Sequence, residues 1–394
     1  MQHPDYGNLP VTLAIIVNYH SAKLCLSAAR SVLASESLGP VHAVVVDNSV
    51  DETEADMLLR GLPTSVELII NPVNIGFGNA CNRVFEKYPG VGMVLLLNPD
   101  ARLRAKSLIR LQRSLLSHPR VGAVGPQLFW DDSGYFYLPP SIPVELTRLY
   151  QQIGLYPGFS ELLSLLWRRY ALYIWNATRR IRVLNLCGGH VLLKTEAVRK
   201  AGGLFDPRFF LYYEDTDLFY RLRKSNYRLF VEPAAEVVHT YDQCGQEDLQ
   251  FKRQQMAIAD RQFREKYNMH PCTSTGANAY LHRESITRVV RKIDALSLRW
   301  VQPGHRSAAG SARVPCFEKP FSLDVPSRMQ HSWVLEWSPN SSFIPSVAMF
   351  GYGKVAHFPE ECFDLFSQGR YFARLGSGSG WNPDFMFFSI RKES

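Results

Sequence analysis

Cysteine is sparse in this chain and shows no pairing pattern. The 394 residues hold seven, at positions 25, 81, 187, 244, 272, 316 and 362, scattered and with no C-x-x-C. That argues against a zinc ribbon or a secreted disulfide framework and for a reducing compartment. Long hydrophobic runs are also missing. The first, Val11 to Val17, is seven residues long and no Lys or Arg precedes it. It is too short for a spanning helix, which needs roughly 18 apolar residues, and lacks the basic start of a secretory signal. The chain is therefore expected in the cytoplasm, leaving room for a peripheral contact with the inner-leaflet membrane surface. There is no Walker A sequence. Gly76-Phe-Gly78-Asn-Ala-Cys81 lacks the third glycine of a dinucleotide fingerprint and follows Pro72, so a nicotinamide-linked oxidoreductase is not expected. No repeat of fixed period is present.

Apolar material is plentiful: 46% hydrophobic and 12% aromatic residues against 20% charged ones, which excludes disorder. Lys and Arg number 44 and Asp and Glu 36. Residues 316–394 hold seven basic and eight acidic residues, so the basic excess lies in residues 1–315. A basic body suits anionic lipid or phosphorylated substrates. No nucleic-acid module is visible, and nucleic acid is not an expected partner.

The first 130 residues alternate short β-branched or Leu-rich runs (Val11–Val17, Val41–Asp47, Val66–Ile70, Met93–Leu97) with helical spacing at Ser21–Ser35, Glu52–Arg60, Gly78–Tyr88 and Ala105–Ser117. Buried strands alternating with amphipathic helices predict β-α units around a mainly parallel sheet. Ligands in such sheets bind at the carboxyl ends of strands, and these strands end in Asn18, Asp47-Asn48 and Asn98-Pro99-Asp100. Residues 139–182 break the alternation with prolines and then a Leu/Tyr/Trp stretch carrying Arg168, Arg169, Arg179, Arg180 and Arg182. This amphipathic basic insertion is either an interfacial helix, with arginines for lipid head groups, or a helix packed on its own domain. Polar helices are expected at Glu247–Tyr267 and Glu284–Trp300, followed by a small, polar linker at 303–313. Residues 316–394 carry 16 aromatics. Near-alternation over Ser332–Ser338 and strand candidates at Arg370–Leu375 and Asp384–Ile390 predict a small β-rich domain, a sandwich.

Three acidic groups invite chemistry. Asp47 ends a buried strand, where a carboxylate is costly without a partner; a nucleotide base or ribose serves as that partner, or Asp47 caps the next helix. Asn98-Pro99-Asp100 places an amide and a carboxylate at fixed spacing, suited to a divalent cation and the diphosphate it bridges, or to an ordinary turn. Phe209 through Arg221 runs from an aromatic wall into Glu214, Asp215 and Asp217. That describes a sugar pocket with a general base at its rim, or simply acids placed at a helix start. Arg221 reads as an ion-pair partner of Asp217.

In order and spacing these stretches resemble the family 2 inverting glycosyltransferases, within them the rhamnosyltransferase-like branch. The resemblance rests on Ile15-Ile-Val-Asn-Tyr19, Val44-Val-Val-Asp-Asn-Ser49, Asn74-Ile-Gly-Phe-Gly-Asn-Ala-Cys-Asn82, Leu95-Leu-Leu-Asn-Pro-Asp100, Gly188-Gly-His-Val-Leu-Leu193, Gly202-Gly-Leu-Phe-Asp206 and Phe209 through Asp215. It implies a GT-A nucleotide-diphospho-sugar transferase fold, α/β with a mainly parallel central sheet, over residues 1–270. A connector at 271–315 and the β-rich domain at 316–394 follow. It implies Asp215 as catalytic base with Glu214 beside it, and a donor site of Val17, Asn18, Asp47, Asn74, Gly78, Asn82, Asn98 and Pro99. Mg2+ or Mn2+ would sit at Asp100 and His239, and the acceptor at Gly189, Phe209, Tyr212 and Tyr213. Asn98 departs from the first acid of the family's Asp-x-Asp, and Gly188-Gly-His from the Gly-Ala-x of many members. The implied activity is transfer of L-rhamnose from its deoxythymidine diphosphate donor to a hydroxyl of a lipid-linked or growing surface glycan, in polysaccharide biosynthesis. From another class comes a non-catalytic sugar- or nucleotide-binding protein, using Trp333, Trp337, Trp381 and Tyr352 of the C-terminal domain to stack on sugars.

Overall fold

A computed structural model describes residues 10–144, 159–240, 249–269, 315–378 and 384–392. The chain divides into two compact units. The first comprises residues 1–134, 141–143 and 177–269, the second 135–140, 144–176 and 270–394.

In the first unit, strand β1 (Thr12–Asn18) leads to helix α1 (Ala22–Ala34), β2 (Val41–Asp47) to α2 (Glu52–Gly61), and β3 (Val66–Ile70) to α3 (Phe77–Lys87). Then come β4 (Met93–Leu97), β5 (Ala101–Leu103), α4 (Ser107–Leu116) and β6 (Val121–Phe129). The periodicity-based helices and strands are therefore found within a residue or two. β3, β2, β1 and β4 pair in parallel, β2 and β4 flanking β1 and β3 lying beyond β2. Every side chain of β1 and β4 is buried, so both faces are covered and the runs read as unbroken apolar segments. Ala14, Ile16, Val45, Met93, Leu95 and Leu97 pack with Cys25, Ala29, Val32, Leu108 and Leu111 into one core.

Beyond β4 the direction reverses. β8 (Ile181–Val183) and β9 (His190–Lys194) precede α6 (Thr195–Lys200) and α7 (Glu214–Lys224), and the long β10 (Arg228–His239) follows. β9 runs antiparallel between β4 and β6, and β10 lies parallel to β6 with an irregularity between Glu232 and Glu236. That irregularity lets the end of β10 turn to β5, pairing His239 with Ala101. Helix α8 (Leu249–Lys266) is the polar helix expected there; the one expected at 284–300 and the linker lie outside the described residues.

The second unit holds β7 (Phe136–Tyr137), α5 (Phe159–Trp175), β11 (Cys316–Phe317), β12 (Ser322–Asp324), β13 (Trp333–Ser338), β14 (Val347–Gly351), β15 (Val355–His357), α9 (Glu360–Phe363), β16 (Gly369–Ser377) and β17 (Phe385–Lys392). Its described strands form one sheet in the order β11-β17-β16-β13-β14-β7, plus a β12-β15 ribbon. The expected β-rich domain is thus found, as one larger sheet with a separate two-stranded ribbon and a helix. Trp333, Leu335 and Trp337 share one face, and Trp337 packs edge-on to Phe366 and Tyr371. On the other face Glu336, fully buried, stands directly opposite Arg374 of β16 and receives Arg168 of α5 at 2.6 Å. Arg374 donates to both Glu336 oxygens, at 3.1 and 2.9 Å. Burial alone would keep Glu336 protonated, but Arg374 and Arg168 hold its carboxyl below the usual range.

Of the two readings of the basic insertion, Arg168 follows the second: it is a core residue of its own unit. Arg180 is also engaged within the protein, donating to the Ser114 carbonyl at 3.0 Å and lying over the Phe230 ring. Among the described residues no helix is long and apolar enough to cross a membrane.

Candidate active site

The parallel register sets Asn18 directly beside Asp47 at the carboxyl ends of β1 and β2. Both are buried. The Asn18 amide donates to Asp47 Oδ1 (3.0 Å), Ser49 Oγ (3.1 Å) and Glu54 Oε2 (2.9 Å), while its oxygen accepts from Ser21. Asp47 Oδ1 also accepts the Ser49 N–H at 3.1 Å. Asp47 Oδ2 is buried without a partner, a costly arrangement that a ligand N–H would relieve. The helix-cap alternative falls to a neighbour: Asp51 accepts from Thr53 and Glu54 N–H and caps α2. Glu54, which sequence reasoning passed over, also accepts the Ala22 N–H at the start of α1 (2.8 Å) and so fixes Asn18 against that helix. Val17 contributes backbone only, its side chain being buried in the sheet. His20 and Val50, just past these strand ends, have φ of 48° and 56°. Such backbone is costly for a β-branched valine, and it concentrates at functional loops.

Asn74 belongs to a network that shapes the loop before α3. Asn48 donates to Asn74 Oδ1 (2.6 Å) and accepts from Asn71 (3.0 Å) and from the Ile75 N–H (3.2 Å). Asn74 Oδ1 then receives the Gly76 N–H at 2.9 Å. Gly76 has φ of 81°, and a methyl there would lie 2.3 Å from the Phe210 carbonyl. Gly78 is less confined: a methyl there would lie 3.3 Å from Phe205 Cβ and 3.5 and 3.6 Å from the Phe209 carbonyl and Glu214 Cβ. Asn82 spends its amide on Phe205, donating to its carbonyl and accepting its N–H, each at 2.9 Å. Asn82, expected at the donor, thus holds the start of the 205–214 loop, and Gly78, also expected there, lies against the same loop.

At the end of β4, Asn98 donates its N–H to the Gly189 carbonyl at 2.6 Å. Pro99 is buried in the turn, and Asp100 is 7% exposed. Asp100 Oδ1 lies 3.1 Å from His239 Nε2. The Asp100 carbonyl accepts the Thr240 N–H at 3.2 Å, tying the end of β10 to this turn. His190, another residue the sequence reading passed over, stacks edge-on to His239 at 5.3 Å. Burial first, and then His239, hold His190 down at about 3, so it is a neutral imidazole.

Asp215 is half-buried at the start of α7. Its Oδ2 accepts the Gly188 N–H (3.0 Å), and its Oδ1 accepts the Thr216 N–H (2.6 Å) and hydroxyl (3.2 Å). Burial raises its pKa, opposed by these hydrogen bonds. Glu214, 7% exposed and with Oε2 unpartnered, is pushed up to about 8 by burial and then by Asp215. Cys187 beside them is pushed up to about 12, chiefly by burial. Asp217 and Arg221 form the expected ion pair at 2.7 Å. Arg221 also pins the carbonyls of Ala201, Gly203 and Leu204.

Four residues were expected on the acceptor side. Phe209 is fully buried and belongs to the core, a correction to its reading as an acceptor contact. Tyr212 and Tyr213 both adopt left-handed backbone, φ 71° and 65°. Tyr213 donates to Asp260 of α8 at 2.8 Å and packs on Phe263. Gly189 faces Asn98, its missing side chain occupied by that amide.

The family described as Glycosyltransferase like family 2 matches residues 10–268. The N-acetylglucosaminyl-diphospho-decaprenol L-rhamnosyltransferase of Mycobacterium tuberculosis, strains CDC 1551 / Oshkosh and ATCC 25618 / H37Rv, is 30% identical over 228 residues, 52% of this chain and 70% of that protein. Two solved structures are distantly similar, each with a TM-score of 0.41. GalNAc-T7 with UDP, GalNAc and Mn2+ is 17% identical; the likeness covers 59% of this chain and 44% of that one, so less than half of GalNAc-T7 is spanned. A mannosyltransferase from Pyrobaculum calidifontis in complex with GDP-Man and Mn2+ is 16% identical, with 66% and 68% covered.

Proposed function

Because the chain belongs to the glycosyltransferase-like family 2 and is a glycosyltransferase of GT-A fold, we propose that it transfers L-rhamnose, with inversion, from a deoxythymidine diphosphate donor to a hydroxyl of a lipid-linked glycan. The donor reading is carried by one observation: Asp47 Oδ2 is buried and unpartnered. A carboxylate there accepts the imide N3–H of thymine or uracil and meets a lone pair in cytosine. The similarity to a rhamnosyltransferase named for a diphospho-decaprenol substrate supports the sugar and the lipid-linked acceptor.

Asp215 is the base. Its carboxylate takes the acceptor hydroxyl's proton as that oxygen attacks the anomeric carbon, while the nucleoside diphosphate leaves from the opposite face. Asp100 and His239 would hold Mg2+ or Mn2+. Their ligand atoms, 3.1 Å apart, fit adjacent positions on a cation with bonds of about 2.0–2.1 Å. When bound, such a cation stabilises charge on the departing diphosphate. Glu214, pushed up to about 8, keeps its proton at neutral pH and does not compete with Asp215 as the base.

Membrane association is proposed through α5, whose exposed Leu166, Arg169 and Tyr173 recur at helical spacing. The sugar-binding reading of the C-terminal domain loses two of its four residues, since Trp333 and Trp337 are 5% and 7% exposed and their rings are core, while Tyr352 is 84% exposed; Trp381 lies outside the described residues.

Thermal shift with a nucleoside diphosphate panel plus Mg2+ or Mn2+ tests the donor site. Ligand at about 100 times its dissociation constant adds about 2.7 kcal/mol. Shifts with dTDP and UDP and none with CDP are expected, followed by transfer from dTDP-rhamnose to a lipid-linked acceptor. An equal response to CDP overturns the Asp47 reading.

A further inference from the structure

We infer that the dipeptide Gly188-Gly189 is the positioning element that joins the two halves of the reaction centre, Gly188 by holding the base Asp215 and Gly189 by seating Asn98 at the diphosphate turn. The inference rests on the proposed roles of Asp215 and of Asn98–Asp100.

The two glycines stand immediately before β9, which enters the sheet antiparallel to β4 with His190 opposite Leu97. The chain therefore passes directly across the end of β4. Neither glycine has positive φ, so the requirement is space and not backbone freedom. A methyl at Gly188 would lie 2.8 Å from Asp215 Cβ, closer than carbon atoms pack. With no side chain there, the Gly188 N–H reaches Asp215 Oδ2 at 3.0 Å. A methyl at Gly189 would lie 2.5 Å from Asn98 Cγ and Nδ2 and 2.7 Å from its Oδ1. The Asn98 amide occupies that space while its backbone N–H donates to the Gly189 carbonyl at 2.6 Å. Adjacent residues thus touch opposite sides of the site: one the first turn of α7, the other the turn after β4.

The electrostatic consequence concerns Asp215. Among the described residues, the titratable groups interacting with it are Glu214 on its own helix and Cys187 on the segment that carries Gly188. Both are neutral near pH 7, so neither stabilises nor repels a carboxylate strongly. Against burial, the charged form is held by the Gly188 N–H and by the Thr216 N–H and hydroxyl. Loss of one such bond moves the ionisation of Asp215 to higher pH.

Two alanine variants of the full chain separate the halves. Gly188→Ala is expected to lower kcat by about 100-fold, as a displacement of about 1 Å does, to move the acid limb of kcat to higher pH and to leave dTDP affinity unchanged. Gly189→Ala is expected to weaken dTDP binding in the presence of Mg2+ by about 10-fold, as loss of an outer-shell partner does, and to leave the acid limb in place. Thr216→Val, which removes only the hydroxyl bond, should move the acid limb in the same direction as Gly188→Ala and covers the case in which that variant fails to fold. In glycine-labelled protein the Gly188 amide resonance should titrate with pH in the wild type and stand still in Asp215→Asn. Equal effects of the two glycine variants on both parameters, or a Gly188 resonance indifferent to Asp215, overturn the inference. A wild-type chain that transfers no sugar rejects the proposed function instead, and the resonance and dTDP calorimetry still decide the positioning roles.

Discussion

Asp215 and Glu214 are adjacent in sequence and opposite in situation. Asp215 accepts three hydrogen bonds at a half-buried position, whereas Glu214 is buried against α3 with one oxygen unpartnered. Asp215→Asn should lower kcat by about 100- to 10,000-fold, the usual contribution of a general base, with dTDP affinity retained; unchanged transfer would exclude Asp215 as the base. For Glu214 the consequence is stability. Its folded pKa, raised from 4.5 to about 8, means that the folded chain keeps a proton the unfolded chain has already released. Stability therefore falls as pH rises between those values, by a few kcal/mol at most. Glu214→Gln removes that fall, so its melting temperature relative to wild type should climb between about pH 5 and about pH 9. A difference that stays flat with pH would show that Glu214 is ionised in the fold.

At the scale of elements, period and strand chemistry were legible where neighbours in sequence decide the outcome. The runs that became β1, β2 and β4 are buried on both faces, and the acids and amides at their ends stand where a parallel sheet places ligands. Less legible was anything set by a distant partner. Arg168 lies in an amphipathic helix and reads as a solvent or lipid contact; its partner Glu336 is 168 positions away. Phe209 reads as the wall of a sugar pocket, but the fold closes over it. Asn82 reads as part of a donor motif, yet its partner Phe205 lies on a loop 123 residues on. The amphipathic reading of α5 survives in its exposed stripe alone. Leu166→Asp and Tyr173→Asp together should reduce cosedimentation with anionic liposomes at low salt, where screening is weakest. Retention equal to wild type would exclude this helix as the membrane contact.

On the scale of the whole molecule, every residue given a catalytic, donor, metal or acceptor role lies in the first unit, while the membrane-contact helix α5 and the buried Arg168–Glu336–Arg374 group lie in the second. Separate cores predict separate thermal transitions. Saturating dTDP with Mg2+ should raise only the transition of the unit that binds it, since a ligand stabilises the state it binds. Arg168→Met should lower only the other, because it leaves Glu336 with one guanidinium in place of two. Removing a member of a buried ion group costs about 3–5 kcal/mol, with Arg374 remaining to hold the effect toward the lower end. Arg168→Met with Glu336→Leu should lose more than Arg168→Met alone, because it leaves the buried Arg374 guanidinium without a counter-charge. Differential scanning calorimetry of the two variants with and without dTDP reads all of this. A single transition moved by both the ligand and Arg168→Met would mean that the cores unfold as one cooperative block, and that the second unit acts on catalysis through the stability of the first.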